Sequence, residues 1–192
     1  MEAPMDIYLV RHGHVDYENA TDPYSVELSP KGLAQAERVA RQCREWDIQF
    51  LCASTMIRAQ QTADAIERRN SAVIRWDLEE LEEMTVDDLQ MDPTAGPIVS
   101  TWTTEQLNLG FERLWIRVMA ALARIQIYAQ ARGLDRIVLV AHGYVIKMLL
   151  LNWFGLDWRA GHRLRTPIDY CGTCKIVLGD GDVVRIEWIN RR

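Results

Sequence analysis

The sequence predicts an α/β protein, a three-layer α/β/α sandwich whose mostly parallel central sheet is flanked by helices. Three observations carry this. Short β-branched and apolar runs (Asp6–Val10, Ile48–Ala53, Arg136–Ala141) read as strands, the first as a buried one and the last as a central parallel one. Segments with apolar residues at helical spacing alternate with those runs. The length, 192 residues, suits one compact domain with a core on each side of a sheet.

The elements follow in order. Asp6–Val10 is the first strand and feeds a loop beginning Arg11-His12-Gly13. Ser29-Pro30 starts a helix, because a serine oxygen accepts a first-turn amide and proline suits the first helical position. Leu33, Ala36, Val39, Ala40 and Cys43 continue it to about Trp46. Ile48–Ala53 is the second strand, and Ser54 is placed to cap a helix running to about Glu67. Ser71–Trp76 reads as the third strand. The stretch Glu79–Trp102 is acidic and irregular and holds Pro93 and Pro97, so it reads as a loop or small lid. A long helix from Thr103 to Arg132 carries Leu107, Phe111, Leu114, Val118 and Ile125 on one stripe, and Gly133 stops it. Arg136–Ala141 is a fourth strand, after which His142-Gly143 opens another helix. Cys174–Leu178 and Val183–Ile189, joined by Gly179-Asp180-Gly181-Asp182, form a closing hairpin.

Composition removes several function classes. Hydrophobic residues are 48% and charged residues 26%, an ordinary globular balance that disfavours a disordered or disulfide-framed chain. A net charge of −5 gives no global attraction to nucleic acid or anionic lipid, so neither is expected as a partner. No stretch approaches the ~18 apolar residues of a membrane span, and Glu2 and Asp6 precede the first apolar run where a secretory signal needs basic residues. The four cysteines are expected to be reduced thiols, and a cytoplasmic location is the expectation. Cys171-Gly172-Thr173-Cys174 has the spacing of a metal or redox pair, but no second pair accompanies it, so it reads as packing at a strand start. The oligomeric state is left open, with a homodimer one of the choices.

In such folds ligands bind beyond the carboxyl ends of the strands. Arg11, His12, Arg58 and His142 all fall there, with Glu80 and Glu83 after the third strand. Guanidinium forks match phosphate geometry, and each hydrogen bond to a charged group is worth roughly 1.5–3 kcal/mol net. Four such donors hold a phosphoryl group without a metal. A neutral imidazole can also accept that group covalently, provided that its other ring nitrogen is fixed by an acceptor such as the Gly13 carbonyl. A carboxyl would then protonate the leaving oxygen and afterwards activate water.

The segment Leu9-Val10-Arg11-His12-Gly13 resembles the signature of the histidine phosphatase superfamily, in its phosphoglycerate-mutase-like branch. Leu28–Ala36, Ala53–Ala63 (with Arg58) and Val140-Ala141-His142-Gly143 resemble the family's first helix, its second phosphate-binding arginine segment and its second histidine segment. The resemblance covers about Ile7 to Leu178 and implies one domain over residues 1–192 with a small lid at about 79–102. It implies that His12 is the phosphoryl acceptor and that Arg11, Arg58 and His142 hold the phosphate. Beside the resemblance, Gly143 at a helix start offers a free amide to the substrate, His14 lies close enough to the loop to touch it, and Asn19 is a substrate-binding candidate about one residue later than the asparagine that the family often carries. It implies no cofactor and no metal, and a small phosphorylated metabolite as the binding partner. The family's acid lies two residues after a leucine that follows the third strand. Leu78-Glu79-Glu80 matches at the usual distance and Leu81-Glu82-Glu83 three residues later, so Glu80 is the preferred acid and Glu83 the alternative. His14-Val15 and Met84-Thr85-Val86 depart from the family pattern where a leaving group would bind, so they bear on the substrate's identity more than on phosphoryl chemistry. The short lid favours a phosphatase over a phosphomutase, and a low-turnover phospho-ligand-binding protein is the reading outside enzymes. His162 reads as part of a basic surface stretch, and Trp102, on the lid, is the tryptophan expected to meet substrate.

Overall fold

A computed structural model describes residues 4–18, 22, 24–85, 88, 103–161, 167–179 and 183–192. Asn19, Trp102, His162, most of the expected lid and the centre of the expected hairpin turn lie outside the described residues. The elements are β1 (Met5–Arg11), α1 (Pro30–Glu45), β2 (Phe50–Ser54), α2 (Ile57–Arg69), β3 (Ile74–Leu78), a 3-10 turn (Glu79–Leu81), α3 (Thr104–Arg132), β4 (Arg136–Ala141), α4 (Gly143–Trp153), a second 3-10 turn (Trp158–Ala160), β5 (Thr173–Leu178) and β6 (Val184–Arg191).

They form the α/β architecture expected, around one six-stranded sheet in the order β3-β2-β4-β1-β5-β6. The pairs β1–β4, β2–β4 and β2–β3 are parallel, whereas β5 and β6 add as an antiparallel hairpin. Alternation along the strands splits the core in two. Ile7, Leu9, Ile137 and Leu139 pack with Leu114, Val118 and Ile125 of α3 and with α4, while Tyr8, Val10, Val138 and Val140 pack with α1 and α2. The central residues of β1 and β4 are thus covered on both faces, which is why these strands read as unbroken apolar runs.

Several boundaries differ from the sequence reading. β2 begins two residues late, because Asp47 turns the chain through a positive φ of 53°. β3 begins at Ile74, since a turn closed by Val73 N–H on the Asn70 carbonyl (2.9 Å) takes up Ser71 and Ala72; the strand then pairs with β2 as far as Leu78. Ser54 ends β2 rather than capping α2, whose N-cap is Met56. Ser29 does cap α1, accepting from the Gly32 amide (3.1 Å), and Gly133 ends α3 at a left-handed φ of 65°. All four cysteines are buried free thiols, and burial pushes the Cys171 thiol up to about 12. Among the described residues no cluster of three or more His, Cys, Asp or Glu is arranged to hold a metal ion, and no helix is long and apolar enough to cross a membrane.

Candidate active site

The sheet brings the chemistry-bearing residues to one rim. β1 and β4 are neighbours in register, with Arg11 opposite Ala141, so His12 and His142 follow two adjacent strand ends at one level. Their ring centroids are 5.0 Å apart. Both sides of the β1 end are pinned: His12 N–H donates to the Ala141 carbonyl (3.0 Å), and Cys171 N–H donates to the Arg11 carbonyl (3.0 Å). Arg58 reaches the same place from the first turn of α2 and is 4% exposed.

The loop carrying His12 is clamped from below. The Gly13 amide donates to Thr62 Oγ1 (3.1 Å), and the Thr62 hydroxyl donates to the Arg58 carbonyl (2.8 Å). His14 N–H donates to Gln35 Oε1 (2.8 Å) and its carbonyl accepts from Ser29 N–H (3.0 Å). The α1 start approaches so closely that a Cβ on Gly32 would stand 2.1 Å from the His14 carbonyl oxygen. Gly32 is therefore glycine for close approach of backbone to backbone.

Hydrogen bonds assign the His12 tautomer. Nδ1 lies 2.8 Å from the Gly13 carbonyl oxygen, which can only accept, and Arg58 Nε donates to Nε2 at 3.3 Å. One state satisfies both: proton on Nδ1, lone pair on Nε2. Burial holds the His12 pKa well below its ordinary 6.5, and the nearby Arg58 and Arg11 charges lower it further, against the Gly13 bond. His142 is likewise driven down, first by burial and then by His12, Arg58 and Arg11. Its Nε2 pairs with Ser54 Oγ at 2.8 Å, and the same oxygen accepts the Met56 amide (3.2 Å), so Ser54 ties the second imidazole to the start of α2.

Arg11 Nη1 donates to the Ile168 carbonyl (2.6 Å), and its guanidinium lies 4.2 Å from the centre of the Tyr170 ring. Arg58 Nη1 donates to the Tyr24 carbonyl (3.2 Å). Among the described residues the buried side-chain polar atoms without a partner are Arg11 Nε, Gln42 Oε1 and His142 Nδ1. Two of the three lie in this cluster, where a bound oxyanion would satisfy them. Tyr17 stands near enough to feel the charges of Arg58, Arg11 and Glu83, and burial raises its phenol pKa.

Glu80 and Glu83 part company. Glu80 turns outward to ion-pair with Arg124 of α3, and Glu82 takes a hydrogen bond from Thr55. Glu83 turns inward: its carboxylate accepts from the amides of Met84 (3.1 Å) and Tyr144 (3.2 Å), the latter in the first turn of α4. The expected placement of Glu80 at the rim is thus corrected in favour of Glu83. The cause is the register of β3. The strand runs through Leu78, two residues beyond the predicted end, and the 3-10 turn that follows makes Leu81 the leucine after the strand. Burial raises the Glu83 pKa above its ordinary 4.5, opposed by the two amides and by Arg58 and Arg11. Arg117 of α3 holds this segment by its backbone, donating to the carbonyls of Glu80 (2.9 Å), Glu82 (2.6 Å) and Glu83 (3.0 Å) and pairing with Asp88.

Gly143 opens α4 beside Glu83; a Cβ there would be 3.7 Å from Glu83 Oε2. His14 lies one layer out, its Nδ1 on Ser29 Oγ (2.8 Å) and its ring edge-on to Tyr170 at 5.1 Å, the same ring that borders His12 at 5.5 Å. Sequence reasoning did not single out Ser54 as the His142 partner, Tyr170 as a wall, or Arg117. Only Ser54 carried a usable signal, as a polar residue ending a strand beside the one that precedes His142.

Fold and rim together define a class: an α/β protein whose adjacent central strands each deliver a histidine to a site shared with two arginines. The chain belongs to the histidine phosphatase superfamily (branch 1), whose sequence profile matches residues 7–191. It is 30% identical over 199 residues to a probable phosphoglycerate mutase, GpmB, of Enterobacter sp. (strain 638), covering 96% of this chain and 90% of that one. Among solved structures it resembles a putative alpha-ribazole-5'-P phosphatase of Escherichia coli K-12 (TM-score 0.77, 20% identity, 98% and 97% of the two chains). It also resembles a mycobacterial glucosyl-3-phosphoglycerate phosphatase in complex with VO3 (TM-score 0.72, 22% identity, 98% and 100%).

Proposed function

We propose that this protein is a metal-independent phosphomonoesterase that acts on a small phosphorylated metabolite through a phosphohistidine. The observation that carries the reading is the His12 ring, with Nδ1–H held by the Gly13 carbonyl and the Nε2 lone pair directed at Arg58. A phosphoryl group placed among Arg11, Arg58 and His142 takes over that arginine contact and presents phosphorus to Nε2. His12 Nε2 attacks in line and the P–O ester bond breaks, while protonated Glu83 passes its proton to the leaving oxygen. The resulting Glu83 carboxylate then removes a proton from water as its oxygen attacks phosphorus. The N–P bond breaks, releasing inorganic phosphate and neutral His12. The two guanidiniums offset the charge on the transferring group's oxygens, a role that requires no ion.

The depressed His12 pKa keeps the nucleophile unprotonated at neutral pH, and the raised Glu83 pKa favours the acid form needed in the first step. The phosphatase names of two structural neighbours agree with hydrolysis, and the mutase name of the sequence relative supplies the competing reading. Hydrolysis of 4-nitrophenyl phosphate in EDTA-treated buffer tests the reading. His12→Ala is expected to lose about three orders of magnitude or more in rate; full activity in that variant overturns it. With phosphorylated metabolites, liberated inorganic phosphate marks a phosphatase, whereas conserved ester phosphate marks a mutase.

A further inference from the structure

Beside the phosphoryl-facing cluster lies a cavity of about 250 Å3, lined by Arg11, Glu83, Tyr144, Lys147, Pro167 and Ile168 among others. Pockets for drug-sized ligands run to roughly 300–1,000 Å3, so this space suits a small group. Arg11 and Glu83 already have parts in the proposed reaction; Lys147 has none. It lies four residues after Gly143 in α4, on the same helix face, and helical side chains lean toward the N-terminus. Its stem therefore inclines toward Gly143 and the Glu83 carboxylate.

Among the described residues the ammonium has one hydrogen-bond acceptor. Nζ donates to the Gly161 carbonyl (3.1 Å) and stands 5.1 Å from the Tyr144 ring centre and 5.8 Å from that of Phe111. Among the described residues no carboxylate oxygen lies within 4.0 Å of it. An ammonium carries three protons, and a partly buried cation without a counter-ion is costly to keep. Burial accordingly lowers the Lys147 pKa, with Glu83 opposing at longer range. The rest of the wall, from Tyr144, Pro167 and Ile168, provides a phenol ring and apolar surface.

We infer that Lys147 is the receptor for a second negative charge on the substrate, so that the ester cleaved is one whose alcohol portion carries an oxyanion a few bonds from the phosphate. The inference deepens the phosphatase reading and rests on it for turnover, but the subsite itself can be measured without turnover. A charge-assisted hydrogen bond of this kind is worth about a tenfold preference or more.

The test uses phosphorylated ω-hydroxycarboxylates of two to four carbons, their neutral amides, and the matching diol bisphosphates, which separate a carboxylate from a second phosphate as the recognised group. For at least one chain length the acid or the bisphosphate is expected to exceed the amide about tenfold in kcat/KM. That ratio should fall to near one in Lys147→Gln and return in Lys147→Arg, the conservative variant that also controls for folding. The corresponding ω-phosphonocarboxylates and their amides, titrated by calorimetry, give the same ratio as an affinity even if nothing is hydrolysed. Loss of turnover with the affinity ratio intact would count against the phosphatase reading alone. A ratio near one at every chain length in the wild-type protein, or a preference that survives Lys147→Gln, overturns the subsite. A lysine acting only on Glu83 ionisation would change acid and amide alike and leave the ratio untouched.

Discussion

The histidine–arginine cluster takes its side chains from residues at or directly after the ends of two neighbouring strands and from the buried first turn of α2, whereas the adjoining cavity shares Arg11 with it and takes the rest of its wall from a 3-10 turn exit, α4 and the approach to β5. The difference is one of support. His12 and Arg58 are 3% and 4% exposed, and His142 is fully buried. Their positions follow from sheet register and from core packing that resists adjustment. Glu83 sits on a segment with no ladder of its own, held in place by three carbonyl contacts to one arginine. A fold can keep the first half constant while the second varies, so one phosphoryl chemistry can serve many leaving groups.

The largest effect that sharpens this comparison separates Glu83 from Glu80. With an alkyl phosphate, whose leaving oxygen needs a proton, Glu83→Gln is expected to lower kcat by about 10²–10⁴. Glu80→Gln should remain within about twofold, because it removes an exposed ion pair to Arg124 of the kind worth about 0–1 kcal/mol. Steady-state kinetics on both variants decides the matter; the reverse order would return the acid to Glu80.

Arg117→Met comes next. It removes no proposed reacting group but releases the carbonyls of Glu80, Glu82 and Glu83 that position the carboxyl. We expect about a tenfold loss of kcat with an alkyl phosphate from misplacement of the carboxyl, and a much smaller loss with 4-nitrophenyl phosphate, whose leaving group needs little acid help. Equal losses on both substrates would make Arg117 a structural residue only.

The third effect is on stability. His12 and His142 both have pKa values below 6.5 in the fold, so below that pH the unfolded chain binds more protons than the native one. Their contribution is complete above about pH 6.5 and is lost as pH falls toward the folded values, at up to about 1.4 kcal/mol per pH unit for each. Glu83, raised above 4.5, works in the opposite sense: its protonated form is favoured by folding, so its contribution grows as pH falls toward 4.5. Denaturant midpoints between pH 7.5 and 5.5 should fall more steeply for the wild type than for a His12→Asn, His142→Asn double variant. Parallel lines would contradict the assigned shifts.

The same contrast explains what was legible in the sequence. Arg11, His12, Arg58 and His142 could be placed at one rim because each follows an apolar run or opens a helix whose identity the pattern fixes, and a strand end tolerates little slippage. Glu83 could not be separated from Glu80, since the choice depends on where β3 stops. Its end at Leu78 is set by pairing with Ser54, a tertiary fact that local propensity does not contain. Ser54 suits a helix cap by its side chain; in the structure its hydroxyl oxygen accepts the amide of Met56, the N-cap residue (3.2 Å), and also pairs with His142 (2.8 Å). Lys147 left only the trace of a single charge within an apolar helix, and its meaning depends on Gly143 one turn earlier and on the neighbouring carboxylate.

The central claim is that His12 carries the phosphoryl group between substrate and water. Rapid-quench labelling with a ³²P-phosphate monoester, stopped in alkali, tests it most directly. Up to one equivalent of acid-labile, alkali-stable label per chain is expected, mapping to the peptide that contains His12 and absent from His12→Ala. Turnover with no such label at any quench time, or label on a different residue, would contradict it.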